Sequence, residues 1–297
     1  MRMAALALPL LFFVCCTDHG SFFRPEGGVI PPNPPVPHVA MDRSGNGVAI
    51  SSATASVLEA DSTTWRDEPV ETGAGEDGDL VMVGSGTAYV GAAGEDELLL
   101  LGFELTSGPD PAPTRLRNGP LPLSELRLAS NLYGTSGNVY VVWRERIKPD
   151  PFTEIVAAFA RRKLPGGDWG LPFRLDTNPT QTGPRPQSVF NLRVAVGGDG
   201  TAVAVWEQSI ETDGVASFAA RRTVSGWQAP VMLGSSTEGS SNGMPDVGMD
   251  RDGNAIAVYV ENDRVYARSL AASTGLWTEP TSLGDTGVPL SPRIAAN

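Results

Sequence analysis

Short apolar runs separated by polar, glycine-bearing turns follow one another along most of this chain, and the runs come in sets. The cleanest set lies between Pro245 and Gly284. It opens with Asp246-Val247-Gly248-Met249-Asp250, turns at Arg251-Asp252-Gly253-Asn254 and continues as the apolar run Ala255-Ile256-Ala257-Val258-Tyr259-Val260. After Glu261-Asn262-Asp263 comes Arg264-Val265-Tyr266-Ala267-Arg268, and Trp277-Thr278-Glu279-Pro280-Thr281-Ser282-Leu283-Gly284 closes it. Runs this short, bounded by turn residues, predict four strands in a meander.

The set is written five times. Its turn glycine falls at Gly45, Gly86, Gly137, Gly200 and Gly253, with spacings of 41, 51, 63 and 53 residues. Periods of that size belong to propeller blades with loops of variable length. Each copy has an opening strand, as in Val39-Ala40-Met41, Arg127-Leu128-Ala129-Ser130 and Arg193-Val194-Ala195-Val196. The six tryptophans keep the same register. Trp143 and Trp206 end second strands, where Tyr259 stands in the last copy, and Trp65, Trp169, Trp227 and Trp277 open closing strands that soon reach a proline. The second copy lacks this tryptophan and keeps only an apolar third strand, Leu98-Leu99-Leu100-Leu101-Gly102-Phe103.

Several strands are apolar throughout rather than alternating, which suits sheets buried on both faces. A blade wedged between two others meets that condition, and radial repetition leaves only short, protected edges. The expectation is an all-β protein: a β-propeller of four-stranded blades over residues 37–297, with five recognisable repeats and, at Ser291-Pro292-Arg293-Ile294-Ala295-Ala296-Asn297, the opening strand of a sixth. One segment has helical composition, 153–164, with basic residues at its C-terminal end. Its register with Ala219-Ala220-Arg221-Arg222 and Ala267-Arg268 assigns it instead to a third strand.

The string Val39-Ala40-Met41-Asp42 with Gly45-Asn46 behind it, the apolar second strand and Arg264-Val265-Tyr266-Ala267-Arg268 resemble NHL-type and bacterial-neuraminidase-type propeller repeats. The resemblance covers about 37–297 and implies a propeller. Those families include lectins, scaffolds, lyases and glycosidases, so it leaves the function open.

Ahead of the repeats, Arg2 precedes an apolar stretch, 3–14, too short to span a bilayer and of signal-peptide length. It runs into Cys15-Cys16, which resembles a bacterial lipoprotein signal of residues 1–16 with Cys16 as the lipidated residue. Residues 17–36 read as a proline-rich tether containing Pro31-Pro32-Asn33-Pro34-Pro35. This reading predicts an exported protein of the cell envelope, held at the outer membrane by its lipid. The two cysteines are the only ones in the chain, so the repeats carry no disulfide framework. With a formal net charge of −12 and no basic stripe, nucleic acid is not an expected partner.

Only two histidines occur, His19 and His38, both at or before the first strand. That excludes serine–histidine and cysteine–histidine hydrolysis and histidine–metal chemistry from the repeats. Asp42, Asp199 and Asp250 beside the first turns lack the ligand spacing of a calcium loop and read as turn chemistry; no metal or other cofactor is expected. Arg161, Arg221 and Arg268 recur in third strands. Three convergent arginines are how the sialidase-type propellers hold a carboxylate, but recurrence around a ring favours structural pairing with neighbouring strands.

The loops after the second strands should share one face of a propeller. There Trp143 with Glu145, Trp206 with Glu207 and Gln208, and Tyr259 with Glu261 suggest an aromatic and carboxylate rim suited to a sugar. The loops 235–243 and 177–186 belong to the same face. The expected function is an envelope-anchored binding or interaction module whose ligand is a glycan or an envelope protein, with no catalytic residue assigned. The alternatives are a carbohydrate-active hydrolase using rim carboxylates and a structural element of the envelope.

Overall fold

A computed structural model describes residues 38–295 apart from 43, 52–53, 61, 70–76, 84–85, 94–96, 105–107, 110–113, 119–122, 132–136, 151–152, 177–187, 211–213, 237–244 and 286–291. The described residues form five antiparallel sheets in chain order, each running outward from its first strand. Blade 1 holds β1 (His38–Met41), β2 (Gly47–Ser51), β3 (Thr54–Leu58) and β4 (Arg66–Pro69). Blade 2 holds β5 (Asp77–Val83), β6 (Thr87–Ala93), β7 (Glu97–Glu104), β8 (Gly108–Pro109) and β9 (Thr114–Asn118). In blade 3 are β10 (Leu123–Ser130), β11 (Val139–Asp150), β12 (Thr153–Lys163) and β13 (Phe173–Arg174). Blade 4 has β14 (Val189–Val196), β15 (Ala202–Ser209), β16 (Val215–Thr223), β17 (Gly226–Trp227) and β18 (Val231–Ser236). Blade 5 has β19 (Asp246–Met249), β20 (Ala255–Glu261), β21 (Arg264–Leu270) and β22 (Thr281–Asp285). The segment of helical composition is the third strand β12, in register with β11 from Val139↔Lys163 to Ile147↔Ile155.

Outermost strands are interrupted. β8 and β9 both pair with β7, and β17 and β18 both pair with β16. Three of the closing tryptophans mark where these strands begin: Trp227 lies in β17, while Trp169 and Trp277 bridge to Lys163 and Leu270.

The first turns of blades 1 and 5 are built by an aspartate. Asp250 Oδ1 accepts from the backbone N–H of Asp252 at 2.9 Å and of Asn254 at 2.8 Å, and its Oδ2 takes Asn254 Nδ2 at 2.7 Å. Asn254 Oδ1 then accepts from Ala272 N–H at 2.9 Å, tying this turn to the one after the third strand. Asp42, Asn46 and Ala60 repeat the arrangement in blade 1. Gly253 takes the positive φ, 83°, that closes the turn. Both oxygens of Asp250 are thereby committed to the turn.

Each blade is apolar on both faces, and consecutive blades bury those faces against each other. Val48, Ile50 and Val57 of blade 1 meet Leu80, Met82, Val90 and Leu101 of blade 2. Leu98, Leu100 and Leu116 meet Leu126, Val139, Val141 and Trp143 across the next seam. Blades 3 and 4 join through Val142, Ala158, Ala160, Leu192, Ala204 and Trp206; blades 4 and 5 through Val203, Val205, Leu233, Val247, Met249 and Tyr259. No such buried cluster joins blade 5 to blade 1 among the described residues, and on β1 Val39 and Met41 are 61% and 50% exposed.

Residues 292–295 stand on the far side of β19. Ile294 N–H donates to Asp246 Oδ2 at 3.0 Å, as Leu128 N–H donates to Asp79 Oδ2 at 2.7 Å between blades 2 and 3. The segment thus holds the place of a sixth innermost strand. A cavity of about 350 Å³ runs down the hub, lined by residues of all five innermost strands, among them Met41, Met82, Ser130, Val196 and Met249, and by Ile294.

The seam between blades 4 and 5 is tight enough to exclude a methyl group. A Cβ at Gly234 would lie 2.4 Å from Tyr259 Cε2 and 2.7 Å from Glu261 Oε2. Tyr259 is fully buried and cannot move aside cheaply. Gly234→Ala should therefore destabilise the protein by about 1–3 kcal/mol, read as a lowered urea midpoint at unchanged slope. An unchanged midpoint would show that the two blades do not meet as described.

Candidate functional site

The innermost strands carry charge at one shared end. The last residues before the first turns are Met41, Ser130, Val196 and Met249; three positions earlier stand His38, Arg127, Arg193 and Asp246. In the sixth position Arg293 precedes Ile294. In blade 2, Asp79 accepts this role and lies 3.4 Å from His38 Nδ1. Titratable groups therefore ring one mouth of the channel.

Two β-bulges sharpen the cluster. β10 slips against β11 between Ser124 and Arg127, so that Glu125 and Leu126 together oppose Trp143; β14 slips against β15 between Phe190 and Arg193, so that Asn191 and Leu192 oppose Trp206. Glu125 and Asn191 take positive φ, 50° and 55°, in these bulges. A bulge re-aims a side chain out of the alternating pattern of its strand. Glu125, buried by its bulge, meets Arg144 Nε at 2.8 Å and Arg193 Nη1 at 3.2 Å. Arg193 Nη1 also donates to Leu192 O at 2.8 Å, Arg127 Nη1 to Leu126 O at 2.6 Å and Arg144 Nη1 to Val189 O at 3.1 Å.

In blade 4 the bulge residue Asn191 donates through Nδ2 to Glu207 Oε2. Glu207 is 1% exposed, and its Oε1 has no hydrogen-bond partner among the described residues. Burial pushes its carboxyl up to about 7; the Asn191 bond opposes the shift and the Glu125 charge adds to it. Burial lowers the pKa of Arg193, with Arg127 and Arg293 acting in the same sense and Glu125 and Asp246 against. Arg127 and Arg293 thus both act on Arg193 at the mouth. Burial raises the Asp246 carboxyl, opposed by the Ile294 N–H and then by Arg293. Arg293 Nη1 is buried with no partner among the described residues.

The structure redistributes the residues expected at the rim. Trp143, Trp206 and Tyr259 are fully buried in the seams, each stacked on its cross-strand neighbour: Trp143 on Phe159 at 5.7 Å and 20°, Trp206 on Phe218 at 6.1 Å and 17°, Tyr259 on Tyr266 at 5.9 Å and 22°. The expected exposed aromatic platform is therefore corrected: these rings have no free face, because each bulge or seam closes over them. Glu145 and Gln208, both buried, serve the indoles. Trp143 Nε1 donates to Glu145 Oε2 at 3.3 Å and Trp206 Nε1 to Gln208 Oε1 at 3.1 Å. Tyr259 OH donates to Leu233 O at 2.9 Å, and half-buried Glu261 accepts from Ser235 N–H at 3.3 Å. Of the seven, Glu207 alone belongs to the charged mouth.

Of the third-strand arginines, Arg221 donates to Ala272 O at 3.1 Å and Arg268 to the carbonyls of Met232, Leu233 and Thr278. These are contacts to backbone on adjoining strands, as recurrence around a ring implies. The arginines that do converge, Arg127, Arg193 and Arg293, share a different signal: each immediately precedes Leu128, Val194 or Ile294 in an innermost strand. Cys16 and the loops 177–186 and 237–243 lie outside the described residues. Among the described residues no group of three or more His, Cys, Asp or Glu side chains is placed to hold a metal ion.

No protein-family model and no curated protein matches this sequence. Solved structures match in shape. An ulvan lyase, described as a new family of polysaccharide lyase, is similar with a TM-score of 0.53 and 11% identity, over 90% of this chain and 71% of its own. An ulvan lyase bound to -[GlcA(1-4)Rha3S]- gives 0.52 and 12%, with the same shares. An α-L-arabinanase of Penicillium chrysogenum complexed with arabinobiose gives 0.49 and 13%, over 85% and 81%. The chain is a β-propeller. At these identities the likeness establishes the fold, and the propeller's ligand has to be argued from its own residues.

The Glu207 carboxyl makes a stability prediction with a definite sign. Its folded pKa, about 7, lies above the ordinary value of 4.5, so the folded state holds the extra proton between those limits. Stability therefore falls as pH rises from about 4.5 to about 7, and the deficit is complete above that window. Glu207→Gln removes the ionisation. It should leave stability near wild type at pH 4.5 and raise it at pH 8 by at most about 3 kcal/mol, measured by urea unfolding at both pH values. Equal effects at the two would show that Glu207 is not held neutral by its surroundings.

Proposed function

We propose that this protein is an envelope-anchored propeller that binds a carboxylate- or sulfate-bearing saccharide at the arginine-ringed mouth of its channel. One observation carries the reading: Arg127 and Arg293 both act on the buried Arg193 there, and Arg293 Nη1 is buried with no hydrogen-bond partner among the described residues. A guanidinium nitrogen left unpaired inside a protein is costly, and an anionic oxygen is the group that satisfies it best. The rest of the chain is acidic, with a formal net charge of −12, so the mouth is a local positive site on a repelling body. That contrast favours a compact anionic group over a long polyanion such as nucleic acid. The ulvan lyase of similar fold was solved with a saccharide containing GlcA and Rha3S, a coincidence of ligand chemistry that adds no weight beyond the fold.

Glu207 favours a second reading, a carbohydrate-cleaving enzyme. A carboxyl that keeps its proton up to about 7, with one oxygen unpaired among the described residues, is what a general acid requires. Its burial, 1% exposed, argues for the binding module as the first reading. Release of reducing ends from an acidic glycan, abolished in Glu207→Gln, would reverse that order.

An array of acidic and neutral oligosaccharides tests the proposal. Acidic members should be retained, and Arg293→Gln should weaken them about tenfold or more, the scale of a charge-assisted hydrogen bond. Preference for neutral sugars, or acidic binding indifferent to Arg293→Gln, would overturn it. The anchor is tested apart from the ligand. Cys16→Ser should move the protein from the membrane to the soluble fraction of the envelope, whereas unchanged fractionation would remove the lipid from the reading.

A further inference from the structure

Blades 3 and 4 carry the same backbone device with different chemistry. Ser124 pairs with Arg144 as Phe190 pairs with Glu207, and a positive-φ bulge residue follows in each. In blade 3 the bulge residue is the anion, Glu125, and the second strand supplies the cation, Arg144. In blade 4 the bulge residue is neutral, Asn191, and the second strand supplies the carboxyl, Glu207. Blade 3 therefore closes its charge within the pair. Blade 4 leaves its charge to depend on one proton.

The groups around Glu207 decide what that proton does. β14 presents Asn191, which donates to Oε2, and Arg193, which is turned to Glu125. From β10 comes Glu125, the like charge that disfavours ionisation of Glu207. β11 presents Arg144, engaged by the other oxygen of Glu125. The cross-strand neighbour on β16 is Ser217, which carries no charge. Asp246 and Arg293, beyond Arg193, complete the mouth. With Oε2 held by an amide, Oε1 is the oxygen left to carry the proton.

We propose that Glu207 is a proton-operated control on the anion affinity of the arginine mouth. Protonated, it leaves Glu125 and Asp246 as the anions acting on Arg193, and the cluster of Arg127, Arg144, Arg193 and Arg293 keeps an excess positive charge. Ionised, it sets another anion beside Glu125 and lowers that excess by one charge, so an anionic ligand is held less well. The inference rests on the mouth being an anion site. It adds the direction of its regulation: tighter at mildly acidic pH, looser at alkaline pH.

The test uses the full chain, with glucuronate as probe and glucose as neutral control. Calorimetric binding of glucuronate should weaken about tenfold between pH 5.5 and 8.5, the effect of one charge across a partly buried site. Glu207→Gln should bind at both pH values as wild type does at pH 5.5. A pH dependence that persists in Glu207→Gln overturns the control. A parallel NMR titration follows the Glu207 carboxyl carbon and the Arg193 guanidinium resonances. The two should titrate together, with the Arg193 change lost in Glu207→Gln, and glucuronate should raise the midpoint, since coupling between sites is reciprocal. If wild type binds no glucuronate at any pH, the glucuronate site falls and its regulation with it. If it binds but the Arg193 signal ignores Glu207, only the regulation falls.

Discussion

The structure depends on sheets that cannot face water on either side. Val141 and Val142 are adjacent in β11 and point to opposite faces, yet both are fully buried, one against blade 2 and the other against blade 4. Val203 and Ala204 in β15 repeat the situation. A two-layer sandwich gives each sheet one covered face, so such strands would leave half their side chains in solvent. Standing the sheets side by side around a hub covers both. Alanine at 158, 160, 204 and 220 lets the sheets close up in the seam between blades 3 and 4, where the stacked pair Trp206–Phe218 fills the wider part, as Trp143–Phe159 does between blades 2 and 3.

That constraint explains both what the sequence revealed and what it concealed. Turn glycines recur because each hairpin needs the same backbone closure, so the five repeats, their strand order and the assignment of β12 could be read from local pattern. The tryptophans were equally regular, and their position was read correctly along the chain. Their surroundings were not. A tryptophan at the end of a second strand, next to Glu or Gln, reads as a rim residue until the neighbouring blade is placed over it. The adjacent Glu145 and Gln208 then serve buried indole N–H groups instead of a ligand.

The arginine mouth escaped for a different reason. Alternation along a strand fixes which face a residue takes only while the register is unbroken. Glu125 and Asn191 sit in bulges at positive φ, a region that asparagine enters readily but that a glutamate does not signal from sequence. The bulges turn Glu125 toward Arg144 and Arg193, residues 19 and 68 positions away in the chain. Arg293 belongs to a segment recognisable only as the start of another copy, and the groups it acts on, Asp246 and Arg193, are 47 and 100 positions away in the chain. Convergence of this kind is a property of the ring and has no local signature.

The chemistry of the mouth argues that it was not shaped for stability alone. Burial, Arg127 and Arg293 all disfavour the charge of Arg193. Glu125, Asp246 and the carbonyls of Leu126 and Leu192 offset much of that. If packing were the only demand, the ion pair that closes blade 3 would serve equally in blade 4, where the backbone is the same. Instead blade 4 exchanges Glu and Arg for Asn and Glu, keeps the bulge, and leaves Glu207 Oε1 buried with no hydrogen-bond partner among the described residues, as Arg293 Nη1 is. Unsatisfied polar atoms are rare in protein interiors and cost more than the bonds they forgo. An acceptor-capable oxygen and a donor nitrogen left open around one mouth are the two complements that a ligand bearing both an acidic group and a hydroxyl would supply.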